Sequence, residues 1–312
     1  MSLTKSIKSI ISYIKKSSPW IKLIILCICI ILLINLFKRI ESRVETFEDN
    51  KPKYTIKTKD LYDDFYSEIY DELVYNPKKN EYEISNILKK ISLPKKSKIL
   101  DIGSGTGHHV ALFNKNGFNC TGIDKSSSMV EKAKKNYPNY RFYNGDILSS
   151  ITFTGNSYSM ISCFYFTIYY IKEKRQFFQN CMYWLEPGGW LSLHLVDRNN
   201  FDPIIPAGDP FIMISPQNYA KKRITSSVVK FNNFKYRANF KLDEGKSIGT
   251  FKESIKFDKG GKVRENEHTF YMETQKQILS IAKEAGFILK AKIDLTRCLY
   301  DNQYLYLLYK PE

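Results

Sequence analysis

The chain has 312 residues, of which 43% are apolar and 26% charged, and its 48 Lys+Arg against 32 Asp+Glu give a formal charge of +16. That length buries the core of one large domain or two modest ones, and the composition excludes a disordered or collagen-like chain. The lysines are scattered rather than gathered into a patch, and the six cysteines contain no CxxC pair and no histidine at metal spacing. This excludes a zinc site or a disulfide framework and points to buried thiols in a reducing compartment.

Residues 1–19 form a basic leader with Lys5, Lys8, Lys15 and Lys16 and no acid. Residues 20–37, WIKLIILCICIILLINLF, are apolar around the whole helical wheel and are expected to form a transmembrane helix. Eighteen residues at a rise of 1.5 Å reach about 27 Å, the scale of a hydrocarbon core. Trp20 suits the interface, Lys22 can snorkel, and Lys38 and Arg39 flank the far end. A secretory signal would have a shorter leader and a small-residue cleavage site after Phe37. Flanking charge would hold the N-terminus in the cytosol. The free cysteines, and the placement of the Asn119-Cys120-Thr121 glycan match in a predicted core strand, favour the domain itself there. The expectation adopted is a single-pass membrane protein with its domain on the cytosolic, reducing side.

Residues 38–58 carry Pro52 and many charges and read as a polar linker, leaving 59–312 as the folded domain. Leu61, Phe65, Ile69 and Leu73 repeat every four residues and predict a helix over 59–75, with Tyr62, Tyr66 and Tyr70 as a second stripe. Another amphipathic helix is predicted over 80–91, so 59–93 is a helical pair ahead of the main fold. From Ser97 onward apolar runs alternate with amphipathic stretches. Strands are predicted at Lys98–Ile102, Asn119–Ile123, Tyr140–Tyr143, Ser159–Phe164 and Trp190–Val196, with helices near 106–115, 126–136 and 173–185. This rhythm implies a parallel sheet covered on both faces. Residues 223–271 alternate apolar and polar between DEG and DKGG turns and predict antiparallel strands within an insertion over 201–272. A helix over 274–285 ends at Gly286, and strands at Ile288–Asp294 and Gln303–Tyr309 close the chain.

The stretch KILDIGSGTGHHV (Lys98–Val110) carries the most chemistry. A strand runs into a glycine turn and then a helix. Gly103, Gly105 and Gly107 let the backbone approach a ligand closely, and the helix N-terminus offers free N–H groups. A dinucleotide turn has the spacing G-x-G-x-x-G, and its last glycine would fall at His108. Asp101 beside the turn would repel a pyrophosphate and suits an ammonium group. Asp124, ending the second strand, can accept bonds from both ribose hydroxyls. Asp146 in NGDIL can accept from an adenine amine or cap a turn. EPGGW (Glu186–Trp190) turns the chain into the fifth strand.

Taken in order, LDIGSGTG, ID, NGD and LEPGGWL, with the late EAGF, resemble the class I S-adenosylmethionine (SAM)-dependent methyltransferases of small-molecule type, over residues 80–200. The resemblance implies an α/β, Rossmann-like fold: a seven-stranded, mostly parallel sheet with helices on both faces and its last strand, Gln303–Tyr309, antiparallel. It implies SAM as cofactor, with Asp101, Gly103, Ser104, Gly105 and Gly107 at the methionine portion. Asp124 and Lys125 would face the ribose, Asp146 and Ile147 the adenine, and Phe164–Phe166 the methyl group. The 59–75 helix would be a lid.

The sulfonium is an intrinsically good methyl donor, so the protein must align acceptor, methyl and sulfur and exclude water. A base would help an amine or hydroxyl acceptor, and His194, His268 and Tyr70 are the candidates, with Tyr62 and Tyr66 beside the last. Each also reads as a structural residue, a hydrogen-bonded core histidine or a packed aromatic. No metal is expected. The D/N-P-P-Y motif of many amino-group nucleic-acid methyltransferases is absent after the fourth strand, where the chain reads CFYFTIYY, so nucleic acid is not expected as a partner. The expectation is a membrane-anchored methyltransferase acting on a small molecule, with a membrane-associated acceptor second. The alternatives are an inactive methyltransferase fold serving as a membrane scaffold, and a nucleotide-dependent oxidoreductase.

Overall fold

The computed structural model describes residues 18–41, 52–149, 152–203, 223–231, 233–257 and 262–312, without the side chains of 34–41 and 59. The basic leader, save its last two residues, and residues 204–210 of the FDPIIPAGDP loop lie outside the described residues. Contacts divide the chain into two units, Met1–Lys51 and Pro52–Glu312.

The first unit contains helix α1 (Pro19–Glu41), where a helix is expected, with Trp20, Leu23, Ile24 and Leu26 exposed. The membrane span itself is not supported. Among the described residues no helix is long and apolar enough to cross a membrane.

The second unit begins with a departure from expectation. Residues read as the end of a linker form strand β1 (Lys53–Lys57). Helices α2 (Asp64–Val74) and α3 (Pro77–Lys90) follow, capped by the side chains of Asp63 and Asn76. The α/β rhythm then appears as read: β2 (Lys98–Ile102), α4 (His108–Lys115), β3 (Asn119–Asp124), α5 (Ser127–Asn136), β4 (Arg141–Asn144) and β5 (Tyr158–Cys163). A short helix α6 (Thr167–Tyr170), α7 (Lys174–Trp184) and β6 (Leu185–Val196) complete this half. Strand β6 starts earlier than expected, because the EPGG stretch joins the sheet with Gly188 at φ 79°.

Four antiparallel-phase strands come next: β7 (Ser226–Lys230), β8 (Phe234–Asp243), β9 (Ile248–Phe257) and β10 (Val263–Tyr271). Helix α8 (Gln275–Glu284), β11 (Ile288–Asp294) and β12 (Gln303–Tyr309) end the chain. Helix α8 opens with a capping box between Thr274 and Gln277.

The central sheet has seven strands in the order β11-β12-β6-β5-β2-β3-β4. Strands β2 to β6 run parallel, and β12 is antiparallel to both β6 and β11, as the resemblance implies. The order reverses beside β2, so the loops after β2 and β5 diverge and open a crevice at the strand C-termini. The added segment forms a separate five-stranded sheet in the order β1-β10-β9-β8-β7, in which β1 alone pairs in parallel. Its inner face is set by the period of two: Phe234, Tyr236, Ala238 and Phe240 of β8 are buried, and their neighbours are less so. That face packs on Leu61, Tyr66, Ile69 and Leu73, on and just before α2. Lys174 ties the two sheets, donating to the carbonyls of Ile171 and Tyr271 and pairing with Glu273 at 2.7 Å.

Candidate functional site

A cavity opens where the C-terminal ends of β2 and β5 meet α2 and the inner face of the five-stranded sheet. Its floor is the glycine turn. Gly103 and Gly105 take φ 67° and 51°, and Gly107 takes 93° as the N-cap of α4. The N–H groups of Gly103 and Ser104 both donate to the carbonyl of Ile123, which pins the turn to β3. A Cβ on Gly103 would lie 2.5 Å from the side chain of Thr167, and one on Gly107 2.8 Å from Phe142. The turn therefore needs glycine at both ends for reasons of space as well as conformation.

Three acids surround this turn. Asp101 ends β2 almost fully buried and accepts a 2.7 Å bond from the Ser162 hydroxyl. Burial pushes its carboxyl up to about 6, against the opposing pull of His109 and the Ser162 bond. Asp124 accepts from the backbone N–H groups of Gly105 and Ser126, both at 2.9 Å. Asp71 of α2 accepts from Thr106 at 2.6 Å and pairs with His108 at 3.1 Å; burial would raise its carboxyl, but these partners bring it below its ordinary value. Helix α2 is thus bonded directly to the glycine turn.

One wall carries a buried ionic cluster from α3 and α4. Lys79 and Glu83 pair at 2.6 Å, and His109 meets the other Glu83 oxygen at 2.9 Å. Burial alone would raise the Glu83 carboxyl, but Lys79 and His109 bring it down to about 2. The opposite wall is aromatic: Tyr62, Tyr66 and Tyr70, Tyr170, Phe251 and Phe270 line it, with the buried Glu253 and His268 among them. The Glu253 carboxylate accepts from the hydroxyls of Tyr66 and Tyr236, from Asn266 at 3.0 Å and from His268 Nε2 at 2.7 Å. The other ring nitrogen of His268 meets the Tyr170 hydroxyl, to which Tyr62 donates at 2.8 Å. Tyr165, just after β5, holds φ 52°, a strained conformation for a bulky residue beside the cavity.

Of the residues read from the sequence, Asp101, Gly103, Ser104, Gly105 and Phe164 line the cavity, and Tyr70 and His268 line its aromatic wall. Asp124 lies behind Gly105. Lys125 and Asp146 form an exposed pair at 2.9 Å at the β3–β4 edge, and the Ile147 carbonyl accepts from Asn180. His194 does not line the cavity: it is fully buried, bonded through Nδ1 to the Tyr165 carbonyl, and burial next to Lys79 lowers it to about 4. Its place in β6 points it into the core, away from the cavity. Lys79, His109, Glu253 and Tyr170 are additions. Glu253 had a legible signal, since it falls in phase with Phe251 and Ile255 on the apolar face of its strand. Among the described residues no group of His, Cys, Asp and Glu is arranged to hold a metal ion.

Comparison with known proteins places this geometry. Residues 99–189 match a family described as methyltransferase domain. The phosphoethanolamine N-methyltransferase of Plasmodium falciparum is 28% identical over 212 residues, covering 65% of this chain and 72% of that protein. An rRNA adenine N-6-methyltransferase of Lysinibacillus sphaericus is 36% identical, but over 84 residues, 26% of this chain and 34% of its own length. Among solved structures, an S-adenosylmethionine-dependent methyltransferase from Clostridium acetobutylicum superposes with a TM-score of 0.61 at 16% identity, covering 80% of this chain and 98% of that one.

Proposed function

We propose that this chain, a SAM-dependent methyltransferase of class I fold, methylates the nitrogen of a small-molecule amine. The observation that carries the reading is the aromatic wall with a buried carboxylate in it, set directly against the glycine turn. Aromatic faces attract an ammonium group, and each such contact contributes about 0.5–2 kcal/mol when water is excluded. The phosphoethanolamine N-methyltransferase, similar over most of its length, supports a small nitrogen acceptor. The similarity to the rRNA enzyme is confined to about a third of that protein and does not extend the reading to nucleic acid.

The residues fit the cofactor. Ser104 Oγ is buried without a partner, Asp101 presents a carboxylate to the cavity with one bond made, and a Cβ on Gly105 would meet nothing nearer than the Tyr70 ring at 3.7 Å, so the turn is open on that side. In this proposal Asp101, Gly103, Ser104, Gly105 and Gly107 hold the methionine end, Asp124 and Lys125 the ribose, and Asp146 and Ile147 the adenine, with Phe164 beside the methyl. When bound, SAM supplies an activated methyl group. The chain's own part is to close α2 over the turn through Asp71, exclude water with the tyrosines, and hold the acceptor nitrogen in line.

Titration of SAM into the chain by calorimetry tests the cofactor half. Asp124→Ala should weaken binding by tenfold to a hundredfold, the scale of one or two charge-assisted hydrogen bonds, about 1.5–3 kcal/mol. A well-folded chain that binds no SAM would overturn the reading. Release of S-adenosylhomocysteine with ethanolamine, phosphoethanolamine or glucosamine tests the acceptor half. SAM binding without release in any of them would favour the scaffold alternative.

Membrane attachment belongs to the same proposal, supported by the exposed apolar side chains of α1. Full-length chain should float with phospholipid vesicles in a density gradient; sedimentation away from them would remove this part.

A further inference from the structure

The polar groups of the aromatic wall form a connected line rather than a set of isolated contacts. Tyr62, Tyr66, Tyr170, His268 and Glu253 all line the cavity, Tyr62 and Tyr170 half-buried and the other three buried, with Tyr236 buried outside the lining. Along the line, Tyr62 donates to Tyr170, the Tyr170 hydroxyl meets His268 Nδ1, and His268 Nε2 meets Glu253 at 2.7 Å. The partners settle the proton positions: Glu253 only accepts, so Nε2 carries the proton and Nδ1 accepts from Tyr170. Burial pushes the Tyr62, Tyr66 and Tyr170 phenols well above their ordinary value. Burial would raise Glu253 too, but His268, Tyr236 and Asn266 bring its carboxyl below its ordinary value. At neutral pH the line therefore runs from neutral phenols through one imidazole to one carboxylate.

Such an arrangement is expensive for a structural role alone. A fully buried carboxylate in phase with Phe251 and Ile255, paired with a buried histidine, costs desolvation that hydrophobic residues of similar size would avoid. The line also ends in the right place. Tyr170 lies one helical turn after Thr167 on α6, and Thr167 touches the glycine turn where a Cβ on Gly103 would sit.

We infer that Tyr170, His268 and Glu253 form a relay that removes the proton from the acceptor amine. This rests on the amine reading above. An alkylammonium has no lone pair and cannot attack; it must lose one proton first. In the proposed step the acceptor N–H proton passes to the Tyr170 oxygen as the Tyr170 proton passes to His268 Nδ1. The freed lone pair forms the N–C bond while the S–C bond breaks and its electrons stay on sulfur. His268 is left as imidazolium against the Glu253 carboxylate, and the proton returns to solvent when the product leaves. Tyr170 is the group that meets the acceptor. His268 and Glu253 are positioning residues that act through it. The titratable groups facing His268 are Tyr62 and Tyr66, on and just before α2, Tyr170 from α6 and Glu253 from β9.

The test uses full-length chain, SAM and the amines named above. Tyr170→Phe, which keeps the ring and its packing, and Glu253→Gln are compared with wild type. A general base contributes about 10²–10⁴ in rate. Tyr170→Phe should therefore lower kcat at least a hundredfold, with KM and SAM affinity changed less than about threefold. Glu253→Gln should lower kcat tenfold or more with the same split. In both variants kcat should climb with pH toward on the order of pH 10, where a free amine loses its own proton, while wild type stays flatter. A kcat within threefold of wild type for Tyr170→Phe, or equal pH profiles for variant and wild type, overturns the relay and leaves amine methylation standing. SAM binding with no methylation of any amine by wild type overturns the amine reading, and the relay with it.

Discussion

At the seven-stranded sheet the groups that face the cavity sit near or beyond the strand C-termini: Asp101, residues 103–106 of the turn, and Phe164, with Asp124 behind Gly105. In the five-stranded sheet they sit inside the strands, on the buried face: Glu253 in β9 and His268 in β10, with Arg264 and Asn266 buried at alternate positions of β10 beside them. Backbone amides and terminal acids suffice where one ligand is held at a fixed turn. Side chains that must share protons across a sheet need neighbouring strands in register, as Glu253 and Asn266 are. The difference separates a contiguous, short-range site from one assembled across long sequence distances.

The sharpest way to break this division is Gly103→Ala. The new Cβ meets Thr167 at 2.5 Å and forces a side chain into a left-handed backbone, a conformation that costs about 1–2 kcal/mol by itself. SAM affinity should fall at least a hundredfold in calorimetry, while the pattern of protease protection over 226–271 stays as in wild type. If both are lost together, the two halves are not separable. Asp63→Ala acts on the other half. Asp63 caps α2 and holds Arg264 with two bonds of 2.8 and 2.9 Å, and Arg264 is buried. Loss of the cap and of the partner of a buried cation should cost about 2 kcal/mol in urea unfolding, given that Asp63 is itself part-exposed.

A smaller effect comes from pH. The Asp101 carboxyl is raised from its ordinary 3.8 to about 6 by burial. Below about 6 it is protonated and cannot pair with an ammonium group, so SAM affinity should weaken as pH falls through 6, by up to about tenfold per unit. Asp101→Asn should flatten that dependence. The ligand-free fold has the opposite sign, because the folded state binds the proton more tightly than the unfolded chain. The Asp101 contribution to stability is thus present below about pH 4 and lost as pH rises to 6. Smallest is Tyr66→Phe, which removes one hydroxyl from the Glu253 cluster and leaves its other donors. About 1 kcal/mol of stability should go, with SAM affinity unchanged.

The same division explains what could be read without coordinates. Residues 98–110 contain a strand, a turn and a helix start within thirteen positions, so spacing alone carries the geometry. Strand β12 was legible as antiparallel only through the family resemblance, because pairing direction leaves no mark on a single strand's pattern. The β7–β10 strands were legible from their period of two, but β1 was not. Lys53–Lys57 alternates polar and apolar over only five residues inside a charged stretch, is mostly exposed, and becomes a strand because β10 offers it an edge. His194 misled for a related reason: the end of a central strand can point to the crevice or to the core, and the residue type is the same in both. Glu253 and Tyr170 were overlooked because their partners lie on other elements, 15 and 98 residues away at His268.

The parallel pairing of β1 with β10 joins Lys53 to Val263, about 210 residues later. A chain emerging from the ribosome completes the β2–β6 core while its first strand still has no edge to join. Loop closure over that span comes late and slowly. The β2–β6 core can therefore assemble during synthesis, whereas the five-stranded sheet, with its buried glutamate, waits until the last third of the chain is available. Until β10 emerges, β1 has no strand to pair with, and its backbone groups stay open to water.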